Sequence, residues 1–506
     1  MADAKRLAKN TLFMYARMIL IMAVSIYTSR VILDKLGVDD YGIYNAVASI
    51  VAMVTFLNTT LSTSTSRFLT FDLGAGDMAK LKNTFSTSFY THLILAGIII
   101  VLLETAGLWY MEHKFVIPEG REFAVRAVFQ ISILTTAIAV IQVPFTAVIM
   151  AHENMSVYAY VGIYDALARL GIVYLLTVSS TIDRLVLYAL LVAAVQISVI
   201  GIYIFISRRK YEETHLAHKF SKETFKGMMG FTGWTLVANL SNTVKVQGST
   251  VLLNLFFAPA IIAAKALANQ ITHAVMQFVN NFQVALNPQI IKSYAAGEME
   301  DFKKWSLRST LVSSDLLLIL SLPCLATMKT ILSIWLVEIP PLALEFIQIA
   351  IIAQIVGVIS SSTYIPFVAS GKLRLNAIFG VVFDTGYFIV LYAIFKLGGG
   401  ALWAQWLYLI LNIINVMILR PFLLHKDVGF SYSEIYKCFW DCIKPMIVAG
   451  GLSYCMMRVF GDSLWQQAVL FLAVLTITGA VVWLFMERNM RKYLIEIVKS
   501  KIGIKR

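Results

Sequence analysis

Apolar runs of about 20 residues recur along the whole chain of 506 residues. A helix needs about 20 such residues to cross a hydrocarbon core about 30 Å thick. Hydrophobic residues make up 59% of the chain and the mean hydropathy is +0.76, whereas soluble domains are more polar. The runs lack the period-2 alternation of β-barrel strands. The sequence therefore predicts an all-α polytopic membrane protein.

We predict about fourteen membrane spans, each a helix of suitable length. They cover residues 11–33, 43–66, 84–110, 127–150, 156–178, 185–207, 228–256, 260–285, 310–328, 343–367, 375–395, 401–419, 446–460 and 464–486. With the loops assigned alternately to the two sides, most of the 42 Lys and Arg lie on the side of both termini. Positive loops are typical of the cytoplasmic side, so both termini are predicted to be cytoplasmic. The net charge of +13 thus reflects topology rather than binding of nucleic acid.

An internal duplication predicts how the chain is divided. "AGDMAKLK" (75–82) is echoed by "AGEMEDFK" (296–303), and "VPFTA" (143–147) by "IPFVA" (365–369), at nearly the same spacing. Such a spacing indicates two parallel six-helix repeats, which are typical of transporters. We therefore predict an N-terminal lobe at 1–226 and a C-terminal lobe at 227–425. The last two helices and a basic cytoplasmic tail follow at 426–506.

Two predicted spans carry unusual polarity, above all the stretch "KALANQITHAVMQFVNNFQ" (265–283). On a helix its polar side chains share one face, as do those of the preceding span. Single amides could simply join helices, but a whole stripe with cations indicates a hydrated cleft. Cations suit a phosphate, whereas amides suit sugar hydroxyls. The predicted binding residues are Arg17, Arg30, Asn45, Asn239, Asn242, Lys245, Lys265, Asn269, His273 and Asn280.

A second, weaker constellation is Asp384 with Asn412 and Asn415, which could form a Na⁺ or H⁺ coupling site. The same side chains could instead join helices. The four cysteines lack zinc-binding spacing, and there is no G-x-S-x-G, Walker A or H-E-x-x-H motif. We therefore expect a transporter without cofactor or metal, and no enzyme.

The N-terminal run "KNTLFMYARMILIMAVSIYTSRVILDKLGVDDYGIYN" (9–45) resembles the opening of Wzx-type polysaccharide flippases. These flippases form a branch of the multidrug/oligosaccharidyl-lipid/polysaccharide (MOP) exporter superfamily. The resemblance implies a V-shaped pair of lobes in the bacterial inner membrane, with the first, second, seventh and eighth spans lining a cavity. It also implies a polyprenyl-diphosphate-linked oligosaccharide as cargo, for O-antigen and lipopolysaccharide or other surface polysaccharide, and polysaccharide polymerase machinery as a partner beside the membrane lipids.

Under this hypothesis Arg17, Lys245 and Lys265 hold the diphosphate. One alternative is a cation-coupled multidrug exporter of the same superfamily, whose cavity should carry acidic and aromatic residues instead. Another is a membrane-embedded glycan polymerase or ligase. That enzyme would need a large external loop, and the longest predicted one spans only residues 112–126.

Overall fold

The computed structural model describes residues 2–54, 56–152, 154–178, 183–216, 220–487 and 491, and regular structure in these ranges is helical. The α-helices are α1 Ala2–Leu36, α2 Val38–Ala52, α3 Phe56–Gly74, α4 Met78–Leu102, α5 Leu108–His113, α6 Glu122–Ala151, α7 Met155–Val178, α8 Arg184–Lys210, α9 Lys222–Phe256, α10 Pro259–Ala295, α11 Met299–Ala326, α12 Met328–Trp335, α13 Ala343–Ser362, α14 Ile365–Ser370, α15 Arg374–Lys396, α16 Trp403–Ile414, α17 Arg420–Leu423, α18 Tyr432–Val459 and α19 Leu464–Phe485. Turns of π-helix occupy Leu103–Gly107, Asn415–Leu419 and Leu424–Val428.

The helices confirm the prediction of an all-α protein with many membrane spans. Among the described residues, nine helical segments are long and apolar enough to cross a bilayer. The other five predicted spans coincide with α1, with α2 and α3, and with α9, α10 and α18. Each predicted span therefore has a helical counterpart.

Two boundaries differ from the prediction. The predicted span 43–66 is two helices, because α2 ends at Ala52 and α3 begins at Phe56. The stretch 420–445, between the twelfth and thirteenth predicted spans, is mostly helical, because α18 begins at Tyr432. The start of α18 is fixed by a capping box, in which Ser431 and Glu434 each accept a backbone hydrogen bond from the other. This reciprocal pairing satisfies N–H groups that the first helical turn leaves open.

Contacts group the chain into two compact units. Unit 1 comprises Met1–Ala266, Trp335–Pro341 and Ala377–Ala404, and unit 2 comprises Leu267–Ile334, Leu342–Asn376 and Gln405–Arg506. In unit 1, an apolar core forms where α3, α4, α6 and α8 pack around Phe85 and Phe145. In unit 2, α11 packs against α13, α18 and α19. The predicted division at 226 and 425 stays a prediction.

Two glycines allow close helix contacts within unit 1. A Cβ on Gly42 of α2 would overlap the backbone carbonyl of Pro259, at the start of α10. A Cβ on Gly248 of α9 would lie 2.9 Å from the ring of Phe388 on α15. Real Cβ contacts are longer, so both positions require glycine, which has no side chain. The approach of α15 to α9 brings charged side chains of these two helices together.

Candidate functional site

The centre of the candidate site is an ion pair between α9 and α15. Lys245 Nζ lies 2.7 Å from Asp384 Oδ1. One turn away on each helix, Ser241 Oγ donates to the Val381 carbonyl at 3.4 Å. The two side chains of the ion pair keep 22% and 16% of their surface exposed, so the pair is partly open. Charged pairs in membrane helices are rare and mark functional positions by default.

A second lysine lies in the same unit, on α10. Lys265 is 5% exposed, and its Nζ donates to Ser249 Oγ on α9. In the described part of the chain, no carboxylate forms an ion pair with Lys265. A buried ammonium group without a counter-ion is costly, because burial removes its hydration. We therefore regard Lys265 as the strongest single candidate for contact with an anion.

Further along α9, Asn254 is a buried amide that the sequence analysis did not single out. Its Oδ1 accepts a hydrogen bond of 3.4 Å from the backbone of Val116, and its Nδ2 is buried without a partner among the described residues. Nearby, the Tyr110 hydroxyl donates to the Val251 carbonyl at 3.0 Å. These contacts tie the end of α9 to the segment around α5. The end of α9, beyond the lysine and serine of the candidate site, is therefore held in place.

The other predicted residues of unit 1 are spread along α1, α2 and α9. Asn45 is half-buried and donates to the Tyr41 carbonyl of its own helix at 2.7 Å. Arg30 and Asn239 are half-buried and have partners, whereas Asn242 is exposed. The side chain of Arg17 lies outside the described residues. The structure therefore brings together Lys245 with Asp384, and Lys265 with Ser249.

The predicted residues of unit 2 lie further along α10. Asn269 is half-buried there, and His273 and Asn280 are exposed. Thr272 and Gln283 belong to the same polar stripe. Gln283 donates to Ser313 on α11 at 3.1 Å, so one end of the stripe does join helices. The role of Asn269, His273 and Asn280 in binding stays a prediction.

The proposed coupling residues have separate partners. Asp384 pairs with Lys245 in unit 1, as described above. In unit 2, Asn412 donates to the Ala353 carbonyl at 3.1 Å, a contact that joins α16 to α13 beside Gly357. Asn415 begins a π-helical turn, and its Oδ1 is buried and accepts no hydrogen bond from the part of the chain that the structure describes. A common ion site of Asp384, Asn412 and Asn415 stays a prediction.

Arg420 is a half-buried polar centre that sequence reasoning missed, because it lies just outside the predicted span 401–419. It lies between two π-helical turns. Its guanidinium donates to Ser360 Oγ and to Asn376 Oδ1, both at 2.7 Å, and lies 5.6 Å from the ring centroid of Phe367. Turns of π-helix are often found at functional positions. The available signal was an arginine directly after an apolar stretch.

Outside the predicted spans, one arginine joins three helix ends of unit 1. Arg121, before α6, bonds Asp40 of α2 at 2.9 Å and Asp183 at 2.5 Å. Asp183 also accepts from the backbone of Leu185 at the start of α8. Burial raises the pKa of Asp40, and Arg121 offsets only part of that effect. Burial also acts to raise the pKa of Asp183, but the bonds from Arg121 and the α8 backbone outweigh it and lower the pKa.

Comparison with known proteins shows a full-length structural likeness. The lipid II flippase MurJ, in an inward closed conformation, aligns with a TM-score of 0.68 over 93% of this chain and 98% of that one, at 12% identity. An inward-facing multidrug resistance MATE transporter of the MOP superfamily aligns with a TM-score of 0.61 over 80% and 96%, also at 12% identity. The chain has the fold of these transporters.

A third structure also shares the fold. It is a MOP superfamily transporter from Pyrococcus furiosus whose binding pocket is described as reversed in polarity. Its TM-score is 0.53 at 13% identity, over 80% of this chain and 93% of that one. No family model and no curated protein matched the sequence. Among the described residues, no group of three or more His, Cys, Asp or Glu could hold a metal ion.

Proposed function

We propose that this protein is a transporter rather than an enzyme, and that it flips a polyprenyl-diphosphate-linked oligosaccharide across the bacterial inner membrane. The cargo would move from the cytoplasmic to the periplasmic leaflet by alternating access. The observation that carries the proposal is the pairing of Lys245 with Asp384 beside the buried Lys265, in a fold shared with the lipid II flippase. The resemblance of residues 9–45 to Wzx-type flippases supports the same cargo class.

The ion pair supplies a means of exchanging one anion for another. Asp384 holds Lys245 while the site is empty of cargo, which lowers the cost of a lysine in an apolar helix. A diphosphate carries more negative charge than one carboxylate and accepts several hydrogen bonds. It therefore competes with Asp384 for Lys245. Release of Asp384 from α9 would loosen α15, which couples cargo binding to a change of helix packing.

Lys265 supplies the second contact. An ammonium group has three donors, and Ser249 accepts one of them. The remaining N–H groups are available to a phosphate that reaches the α9–α10 pair. Asn239 and Asn242, which lie on α9 before Lys245, would contact sugar hydroxyls. This division of labour assigns the lysines to the phosphates and the amides to the glycan.

The first experiment uses cells deleted for this gene. Polyprenyl-linked glycans are extracted and assigned to a leaflet by their accessibility to an external glycosidase. We expect complete units to accumulate on the cytoplasmic side, and the wild-type gene to reverse this. The K245Q/K265Q variant should fail to reverse it. K329Q is the matched control, since Lys329 is a surface lysine that also pairs with an aspartate.

Two results would contradict the proposal. An unchanged distribution of lipid-linked glycans in the deleted cells would reject the cargo. Full complementation by K245Q/K265Q, at wild-type protein levels, would reject the site and keep the cargo.

A cation-coupled multidrug exporter is the second candidate. It is favoured by the carboxylate of Asp384 within apolar helices and by the likeness to a MATE transporter. In that case Asp384 would exchange Lys245 for a proton or a sodium ion. Loss of dye efflux in the deleted cells, with the glycan pool unchanged, would select this function. D384N should then abolish ion-driven efflux while K329Q retains it.

A further inference from the structure

The last three turns of α8 form an open groove away from the candidate site. It is lined by Gly201, Ile204, Phe205, Arg208 and Arg209. These residues recur at helical spacing, so the groove runs along one face of the helix. The face is apolar toward the middle of the predicted span and cationic at its end.

The cationic end is open for a partner. Arg208 and Arg209 are exposed, and neither forms an ion pair or a hydrogen bond with the described residues. Of the two neighbouring acids, Glu213 is buried and bonded to His152 at 2.5 Å, whereas Glu212 is exposed and forms no ion pair with either arginine among the described residues. Two adjacent guanidinium groups without a counter-ion match a phosphate, which they can bind through paired hydrogen bonds.

The turn that carries the arginines is held in place. Ser207 donates to the Phe145 carbonyl of α6 at 3.2 Å, and Thr214 donates back to the Ser207 carbonyl at 3.3 Å. The ring of Tyr211 stacks on His152 at 4.3 Å. These contacts fix the end of α8 against α6. The arginines are therefore presented from a rigid base, which lowers the entropic cost of binding.

The apolar half of the groove suits an acyl chain. Phe205 is 63% exposed, and Ile197 is also exposed one turn before Gly201. A side chain added at Gly201 would meet nothing within 4 Å, so the glycine leaves room on this face. A hydrocarbon chain lying there would cover these apolar side chains.

We propose that this groove binds an anionic phospholipid, with the headgroup phosphate on Arg208 and Arg209 and an acyl chain along Phe205 and Gly201. The site is separate from the cargo site and does not rest on the proposed function. Cations at the end of a helix also complement its dipole. The dipole effect requires neither a lipid nor the groove. Lipid-binding measurements on groove variants therefore distinguish it from the proposed site.

The experiment measures binding of phosphatidylglycerol and phosphatidylcholine to the detergent-purified protein by native mass spectrometry. The wild type should prefer phosphatidylglycerol. R208Q/R209Q should weaken phosphatidylglycerol binding about 30-fold, from about fivefold per cation near a lipid surface. R208K/R209K keeps the charges but loses the paired hydrogen bonds, so it should retain only part of the preference. G201F keeps the charges and fills the groove, and it should weaken binding of both lipids.

The control is K222Q/K226Q, which removes two exposed lysines from the start of α9. An equal loss in this control would overturn the proposal, since the preference would then reflect overall charge. Unchanged lipid preference in R208Q/R209Q would do the same. Inorganic phosphate that displaces phosphatidylglycerol at millimolar concentration would indicate a phosphate site instead. Unaltered binding in G201F would reject the acyl-chain contact.

Discussion

The ion pair between α9 and α15 gives the sharpest prediction, which is the coupling between Lys245 and Asp384. At their separation of 2.7 Å and an effective dielectric constant of about 20, the bare attraction is about 6 kcal/mol. Desolvation offsets much of this, and the pair is partly exposed. We therefore expect a coupling free energy of about 2 kcal/mol.

The assay is a double-mutant cycle. Wild type, K245Q, D384N and K245Q/D384N are unfolded at equilibrium in mixed micelles with a rising fraction of SDS. Each single variant leaves one charge without its partner and should be destabilised by about 2–3 kcal/mol. The double variant leaves neither charge, so it should be less destabilised than the sum of the single variants.

The charge-swapped variant K245D/D384K is the matched control, because it retains both charges and reverses them. It should be more stable than either single variant. Additive effects of K245Q and D384N, with no coupling above about 0.5 kcal/mol, would refute the argument from the ion pair. In that case the ion pair would contribute little to stability. Exchange of Asp384 for a phosphate could then not drive a change of helix packing.

Three further predictions concern other parts of the chain. G42A should destabilise the protein by about 1–3 kcal/mol, because the new Cβ overlaps the Pro259 carbonyl. G97A is the control, since a Cβ there enters open space and should not destabilise the protein. Thermal unfolding in detergent compares the two variants, and equal stability would contradict the close contact. S431A should cost about 1 kcal/mol by removing the cap of α18, with S431D as the rescuing variant; a melting temperature unchanged in S431A would show that the cap is dispensable. D183N should lower the melting temperature at neutral pH, and this effect should shrink as the pH falls below about 4.

The sign of the last prediction follows from the pKa. The folded-state pKa of Asp183 is lowered, so the ionised form is the one that folding favours. Its contribution is complete above the unfolded pKa of about 3.9 and is lost as the pH falls through the lower folded value. The control is D40N, because burial raises the pKa of Asp40 and so opposes that trend. The same acid dependence in D183N and the wild type would contradict the assignment.

The sequence predicted the helical architecture well, because bilayer thickness imposes one length on every span. It also predicted that Lys245 and Lys265 belong to polar helix faces, since periodicity places residues on a face. It did not reveal that Asp384 faces Lys245, because pairing between distant helices depends on their packing. The burial of Lys265 likewise depends on neighbours that the sequence does not display.

Some other features that the sequence analysis missed did have a signal in the sequence. The stretch "SYSE" (431–434) has the spacing of a capping box, which would have placed the start of α18 correctly. Arg420 was harder to assign. Its partners Ser360 and Asn376 lie on other helices, and the π-helical turns beside it have no sequence pattern of their own.

The position of the Lys245–Asp384 pair along the chain has a consequence for biogenesis. Asp384 is synthesised about 140 residues after Lys245. At 5–20 residues per second, the ribosome needs about 7 to 28 seconds to reach it. During that interval α9 has emerged without its carboxylate, and Lys265 has emerged on α10. Stable insertion of α9 therefore requires either the aqueous interior of the translocation machinery or a temporary partner for its lysine until α15 arrives.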